Sequence, residues 1–119
     1  MKLLTAVQER QLLENGRWNA ALARQGRRTT DFKPVVKLFC PWGAATWLLT
    51  ELDPEDTDSA FGLCDLGMGF PELGRVSLSE IASVRGSGGL RIERDLYFRA
   101  GKTLQAYADE ASRAGRIVA

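Results

Sequence analysis

The first residues of the chain have the pattern of a helix that begins at a capped end. Thr5 and Gln8 have the spacing of a capping box, in which each side chain bonds the backbone N–H of the other residue. Asn15 and Gly16 favour a helix end, because glycine readily adopts the left-handed conformation found there. We therefore predict a helix over 6–14. Its apolar residues form no wide stripe, so it has to dock against the rest of the chain.

The residues that follow are basic and leave two structures open. Residues 17–28 are compatible with further helix or with irregular chain, and 26–31 have the polar, glycine-containing composition of an exposed loop. Arg24, Arg27 and Arg28 lie close together in this stretch. Such a cluster can contact phosphate, but arginines beside a loop are more often simply solvated, and neither an aromatic platform nor a recognition helix accompanies them.

Apolar and β-branched runs in the centre of the chain predict strands. Residues 35–40 and 45–52 form a hairpin around the turn at 41–43, and 60–65 form a third strand. Glycine and proline residues then interrupt the chain over 67–74. We expect an irregular connection there.

The last third of the chain predicts two more short elements and a final helix. Ser77 repeats the capping spacing before a single short helix that includes Ile81, and 86–89 is a flexible break. Apolar and polar residues alternate over 90–98, which predicts a last strand. After that strand, apolar residues recur at helical spacing until Gly115, a typical helix end.

Length and composition fit this order of elements. A chain of 119 residues suits one domain, and 45% hydrophobic with 26% charged residues excludes collagen-like, coiled-coil and wholly disordered chains. We predict a single α+β domain over 1–119. Its sheet is largely antiparallel, with about four strands and two to three helices.

Several kinds of chemistry are excluded by the residues that are missing. Without histidine, the chain has no imidazole base, no Ser-His or Cys-His pair and no histidine metal ligand. Cys40 and Cys64 alone cannot complete a structural zinc site, and Gly67 and Gly69 do not continue into a nucleotide-binding fingerprint. We predict neither a metal nor a cofactor. Both thiols are expected to be reduced and buried.

The location of the protein follows from its apolar runs. None approaches the roughly 18 residues that span a bilayer, and the residues after Met1 do not form the apolar core of a signal peptide. We expect a cytoplasmic protein without a membrane partner.

The near-neutral net charge of +1 conceals three segments of different charge. Residues 1–38 hold 8 basic and 3 acidic residues, 39–80 hold 1 and 8, and 81–119 hold 7 and 4. Such asymmetry can produce a basic face for phosphates and an acidic face for a cation or a basic partner. Alternatively, the segments fold against one another and their charges mix over a solvated surface.

Carboxylates in the acidic segment are the first candidates for a site. If the strands alternate regularly, Trp47, Glu51 and Asp53 share one face of their strand, and Asp65 shares a face with apolar residues of the next. Converging carboxylates can bind a divalent cation or act as acid and base. Acidic residues beside turns more commonly cap backbone amides or remain solvated.

Arg94 is the second candidate, since it falls on the apolar side of the predicted last strand. A guanidinium in that position needs an anionic partner or a ligand. The structural alternative is an ion pair with Glu51, Asp65 or Glu72. The predicted binding residues are therefore Trp47, Glu51, Asp53, Asp65, Glu72 and Arg94.

Much of the chain resembles a bacterial family known only as a domain of unknown function. The similar blocks are PVVKLF (34–39), ATWLLTELDPED (45–56), FGLCDLG (61–67), PELG (71–74), VSLSE (76–80) and IERD (92–95). Members of that family are commonly encoded on plasmids and integrative elements, near antirestriction and plasmid-maintenance functions. The resemblance therefore implies an accessory role in mobile DNA, but it implies no reaction and provides no catalytic residues.

Two functions follow as hypotheses. The first is a non-enzymatic accessory protein of mobile genetic elements that binds a protein or nucleic-acid partner through the acidic segment 51–58 and Trp47. The alternative is a small carboxylate-dependent, metal-binding hydrolase that uses Glu51, Asp65 and Glu72. Arg94 would orient its anionic substrate.

Overall fold

Helices cover both faces of a single antiparallel sheet in the computed structural model, which describes residues 2–119. The elements are α1 (Ala6–Arg24), β1 (Val36–Phe39), β2 (Thr46–Asp53), β3 (Asp56–Asp65), β4 (Glu72–Ser77), α2 (Leu78–Ser83), β5 (Glu93–Arg94) and α3 (Leu104–Ala114). The strand order is β4-β3-β2-β1-β5, and each neighbouring pair is antiparallel. The predicted α+β class is confirmed, with five strands where about four were expected.

Helix α1 is longer than the sequence pattern indicated. Its predicted capping box between Thr5 and Gln8 is present, but the helix passes through Asn15 and Gly16 and ends at Arg24. A side chain at Gly16 would place its Cβ 1.7 Å from the carbonyl oxygen of Leu52. The prediction of a helix end at Gly16 was wrong because this glycine allows α1 to lie directly on the backbone of β2.

The predicted hairpin of β1 and β2 is confirmed, and β3 follows after a tight turn. Strand β2 contains an irregularity that the sequence pattern did not show. Leu49 pairs with Gly62, whereas Glu51 pairs with Phe61, so Thr50 is an extra residue between them. Such a bulge reverses the direction of the side chains that follow it.

The two edge strands differ most from expectation. The predicted irregular connection over 67–74 contains the start of β4. Gly74 within this strand and the proline immediately before it are compatible with a strand at the edge of a sheet. The predicted last strand over 90–98 is reduced to Glu93–Arg94, because only Leu38 and Phe39 of β1 pair with it. The short helix α2 and the final helix α3 agree with their predictions.

The core consists of two apolar layers separated by the sheet. Leu12 of α1 and Ile81 of α2 pack on one face with Trp47, Leu49 and Leu52. On the opposite face, α3 contributes its own set to a second cluster, whose buried members are Leu48, Leu63, Leu104, Tyr107, Ala111 and Ile117. We call these the α1 face and the α3 face.

None of the helices in residues 2–119 combines the length and the apolar character needed to cross a bilayer.

Candidate functional site

The bulge in β2 separates two of the predicted site residues. Trp47 is only 6% exposed and belongs to the core on the α1 face. Glu51 pairs with Phe61, whose side chain packs on the α3 face, and paired residues point to the same side of a sheet. The expectation that Trp47 and Glu51 share a face was therefore wrong. Trp47 supports the core and is not an exposed contact residue.

Asp65 binds the backbone of this chain. Its Oδ1 accepts a hydrogen bond from the N–H of Gly67 at 2.8 Å, and its Oδ2 accepts one from the N–H of Ile117 at 2.9 Å. The side chain is buried, with 2% of the residue exposed. Asp65 therefore ties both the loop after β3 and the C-terminal segment to the sheet.

Glu72 and Arg94 lie on opposite edges of the sheet. Four strand spacings of about 4.8 Å separate their strands, so the two side chains are on the order of 19 Å apart. Arg94 pairs with buried Leu38, as its predicted place on the apolar side requires. Its Nη1 donates to the carbonyl oxygens of Lys2 and Leu3 at 2.9 and 3.0 Å. The predicted ion pair with Glu51, Asp65 or Glu72 was wrong, because backbone carbonyls take that place.

Asp53 and Asp58, at and just after the β2–β3 turn, also bind other groups of this chain. Asp53 accepts from the N–H of Glu55 within the turn. Asp58 accepts from the hydroxyls of Ser77 and Ser79 and from the backbone N–H of Ser79 at the start of α2. These bonds, led by the one from Ser77, hold the pKa of Asp58 below its usual value. These two carboxylates therefore stabilise turns and a helix start.

The predicted carboxylates do not converge. Within residues 2–119, no group of three or more histidine, cysteine, aspartate or glutamate side chains is arranged to hold a metal ion. The three carboxylates that the hydrolase hypothesis uses, Glu51, Asp65 and Glu72, therefore form no shared metal site within residues 2–119.

Glu51 instead lies in a cleft between the sheet, the start of α3 and the loop after α1. Buried Asn19 of α1 holds it there, since its Nδ2 donates to Glu51 Oε2 at 2.7 Å. The same amide bonds both backbone groups of Thr30 and so fixes the loop. We call this space, of about 410 Å³, the Glu51 cleft. Its lining includes Thr30, Phe61, Leu73 and Gln105.

The Glu51 cleft disfavours the charged form of the Glu51 carboxyl. Burial raises the pKa of Glu51, and this effect exceeds the opposing effects of the Asn19 hydrogen bond and the nearby Arg75 charge. The Arg75 guanidinium lies over the Phe61 ring, 5.8 Å from its centroid. Asp31 of the loop after α1 also lines the cleft, which therefore holds two carboxyl groups and the Arg28 guanidinium among hydrogen-bonding and apolar side chains.

An apolar surface lies at the end of β2 away from the Glu51 cleft. Three loops form it: the β1–β2 turn, the β3–β4 loop and the loop between α2 and β5. The β1–β2 turn and the β3–β4 loop both lie at this end, and a Cβ on Gly67 would meet the Cβ of Ala44 at 2.8 Å. The loop after α2 joins them, because a Cβ on its Gly86 would lie 2.7 Å from the ring of Trp42 in the β1–β2 turn. We call this surface the apolar end. Its exposed residues are Trp42, Leu66, Met68, Phe70, Val84 and Leu90.

The β3–β4 loop is the most exposed part of the apolar end. Leu66, Met68 and Phe70 are 59%, 69% and 78% exposed, although they are large and apolar. Gly67 and Gly69, which separate them, have φ angles of +82° and +86°. Sequence reasoning treated these glycines as ordinary turn residues and missed the apolar side chains between them. The alternation of glycine with large apolar residues was the available signal.

A groove of about 320 Å³ continues the apolar end beside β4. Its apolar lining residues are Trp47, Leu66, Val76, Ile81 and Val84, and its polar lining residues are Arg75, Ser77 and Glu80. The adjoining strand β4 pairs with β3 on one side only. Apolar loops, a largely apolar groove with polar residues in its lining, and an open strand edge therefore meet in one region.

Fold and surfaces define a small α+β protein with a five-stranded antiparallel sheet, the Glu51 cleft and the apolar end. Comparison with protein families gives the narrower assignment. The model of a family described as a protein of unknown function, DUF2958, matches residues 3–118, and the chain belongs to this family. The match extends beyond the blocks over 34–95 that carried the resemblance. No curated protein and no solved structure matches the chain.

Proposed function

We propose that this protein is a non-enzymatic binding module whose apolar end docks on a protein partner. The observation that carries the proposal is the exposure of Leu66, Met68 and Phe70 on one loop. Large exposed apolar side chains cost free energy in water, and contiguous patches of them mark interaction surfaces. Methionine is especially suited to such a surface because its flexible thioether adapts to different partners.

The charge of the loop favours a protein over a nucleic acid or an anionic membrane. Between Leu66 and Gly74 the sequence contains no lysine or arginine, and its one charged residue is Glu72. Phosphate groups bind to proteins chiefly through lysine and arginine. A negatively charged partner would gain nothing from this loop and would be repelled by Glu72.

The proposal retains the biological setting that the family resemblance implies. We propose an accessory role in mobile DNA, carried out in the cytoplasm. Support for the cytoplasmic setting comes from Cys40 and Cys64, which are both free in the structure, as is usual in a reducing compartment. The proposed contact surface is the apolar end. It replaces Trp47 and the acidic segment 51–58, which the sequence suggested.

Capture from a lysate of the native host tests the proposal. The immobilised full chain is compared with the double variant Met68→Ser/Phe70→Ser and with Val7→Ser, a control for an equally exposed apolar residue on α1. A protein that binds the wild type is identified, purified and titrated against all three chains. We expect the double variant to bind at least about tenfold more weakly, because two apolar side chains lose their burial. Val7→Ser should bind like the wild type.

Two results would contradict the proposal. One is a partner that binds the double variant and the wild type equally well. The other is recovery of nucleic acid alone, with binding that weakens as salt is added, since that dependence is the signature of phosphate contacts.

A further inference from the structure

Strand β4 leaves one edge of its backbone without hydrogen bonds. It extends over six residues, Glu72–Ser77, and lies at the end of the strand order. No backbone hydrogen bond found within residues 2–119 reaches its outer edge. Open edges of this kind are usually shortened, bulged or covered, because they readily pair with another strand. The pairing of β4 with β3 is continuous from Glu72 to Ser77.

The ladder of the sheet identifies which groups of β4 point outward. Cys40 N–H donates to Ala45 across the β1–β2 pair, and Lys37 C=O accepts from Asp95 on the other side of β1. Backbone groups alternate between the two sides of each strand, so the register places Leu73 and Arg75 on the outer edge of β4. Their N–H and C=O groups are available to a further strand.

The surroundings of this edge determine what kind of strand fits. On the α1 face, the groove lined by Val76, Ile81 and Val84 lies beside β4. On the α3 face, Leu73 borders the Glu51 cleft. Successive side chains of an added strand point to alternate faces. Those directed toward the groove would meet Val76, Ile81 and Val84, with Arg75, Ser77 and Glu80 also in its lining.

A second copy of this chain fits the edge less well. Antiparallel self-pairing centred on Gly74 sets Leu73 opposite Arg75, an apolar side chain against a charge. Self-pairing centred on Arg75 sets two arginines opposite each other, which is repulsive. Self-pairing centred on Leu73 sets two leucines opposite each other, but Arg75 then faces Pro71 outside β4, so this ladder spans only 72–74. The edge therefore favours a different sequence as its occupant.

We propose that the partner of the apolar end supplies an extended peptide segment that pairs with β4 as a sixth strand of the sheet. This inference rests on the proposed function and specifies how the partner binds. Backbone groups of Leu73 and Arg75 provide the hydrogen bonds, and the groove beside β4 accepts apolar side chains at alternate positions of the peptide. The apolar end packs on the remainder of the partner.

Phage display tests this proposal. Random linear peptides are selected for binding to the immobilised full chain and serve as the probe. Selected peptides are synthesised and titrated against two matched pairs of variants, Leu73→Pro with Leu73→Ala and Arg75→Pro with Arg75→Ala. Proline removes an outward N–H that no backbone hydrogen bond found in residues 2–119 uses, whereas alanine removes the same side chain and retains the N–H. Thermal melting establishes that each variant is folded.

The proposal predicts peptides with apolar residues at alternate positions. Each proline variant should bind them at least about tenfold more weakly than its alanine counterpart, because a backbone hydrogen bond is lost and the proline ring obstructs pairing. If the proline variants do not fold, amide exchange of the wild type replaces them. Bound peptide should then slow exchange at Leu73 and Arg75.

Strand addition would be overturned if the proline and alanine variants bound the peptides equally well. It would also be overturned if exchange at both amides were unchanged, or if no peptide were selected. Dimerisation of the wild type that Leu73→Pro abolishes would also overturn it, in favour of self-pairing. These results are distinguishable from failure of the proposed function. Loss of partner binding in Met68→Ser/Phe70→Ser would leave the apolar end as a docking surface even where strand addition fails.

Discussion

Glu51 has an environment that disfavours its own charge. The hydrogen bond from Asn19 and the charge of Arg75 stabilise the carboxylate, but the loss of water around it has the larger effect on its pKa. Glu51 was a sequence-based candidate, whereas its partner Asn19 was assigned to a stretch that could be helical or irregular. The cleft could not be predicted because it depends on where α1 continues after Gly16.

Substitution of Glu51 by glutamine should increase stability most at pH values above the raised pKa of the carboxyl. A carboxyl whose pKa is raised on folding contributes stability that is present below its ordinary pKa of 4.5 and is lost as pH rises through the raised value. Glu51→Gln retains an acceptor for Asn19 and has no charge to desolvate. The melting temperature of the variant, relative to the wild type, should therefore rise as pH increases above 4.5 and level off once Glu51 is charged in the folded protein.

Glu55→Gln, in the exposed β2–β3 turn, is the matched control for the loss of one negative charge. If the melting difference of Glu51→Gln stayed constant with pH, or followed that of Glu55→Gln, the account of Glu51 would be incorrect.

Gly16 is required by packing, and not by the end of a helix. Alanine normally stabilises a helix interior by about 1 kcal/mol relative to glycine. Here the added methyl group would collide with the Leu52 carbonyl, so we expect Gly16→Ala to lower the free energy of unfolding by at least about 1–3 kcal/mol. Denaturant titration measures this change. Gly101→Ala, which meets no atom within 4 Å, should be nearly neutral. Equal stability of the two variants would refute the close contact.

Among the elements, those specified by nearby residues were predictable and those specified by neighbouring strands were not. The β1–β2 hairpin has a turn between two apolar runs, and α2 and α3 have recognisable ends. Strand β4 forms because it can pair along the side of β3 that faces away from β2. The sequence of β4 itself does not show this pairing. The bulge at Thr50 is likewise a property of the pairing between β2 and β3.

Asp65 binds the loop after β3 and the C-terminal segment, and its replacement should loosen both of them. Asp65→Asn retains one acceptor oxygen, so either the Gly67 or the Ile117 N–H loses its partner in a buried position. We expect the free energy of unfolding to fall by about 1–3 kcal/mol. Amide exchange at these two residues should become faster, which shows the loosening directly.

Asp53→Asn serves as the control for this change. Asp53 accepts a single backbone hydrogen bond, from Glu55 N–H, and the amide oxygen of asparagine can replace that acceptor. If Asp65→Asn were no less stable than Asp53→Asn, the assignment of Asp65 as a connection between the loop and the C-terminal segment would be wrong.

On the scale of the whole molecule, the charged segments do not neutralise one another through many direct pairs. Within residues 2–119 the ion pairs are Lys37–Asp95 and Lys102–Glu110. Surface pairs of this kind each contribute about 0–1 kcal/mol, so the apolar layers and the sheet stabilise the fold. The acidic β2–β3 turn and the apolar end lie at opposite ends of β2, which separates charged from apolar surface.

Photo-cross-linking in living host cells tests the binding role of the apolar end most directly. A benzophenone amino acid replaces Phe70 in one full-length variant and Glu55, in the turn at the far end of β2, in another. We predict that light produces a covalent adduct with one protein from position 70 and none from position 55. Adducts from position 55 alone, or no protein adduct from position 70, would contradict the assignment of the apolar end as the partner-binding surface.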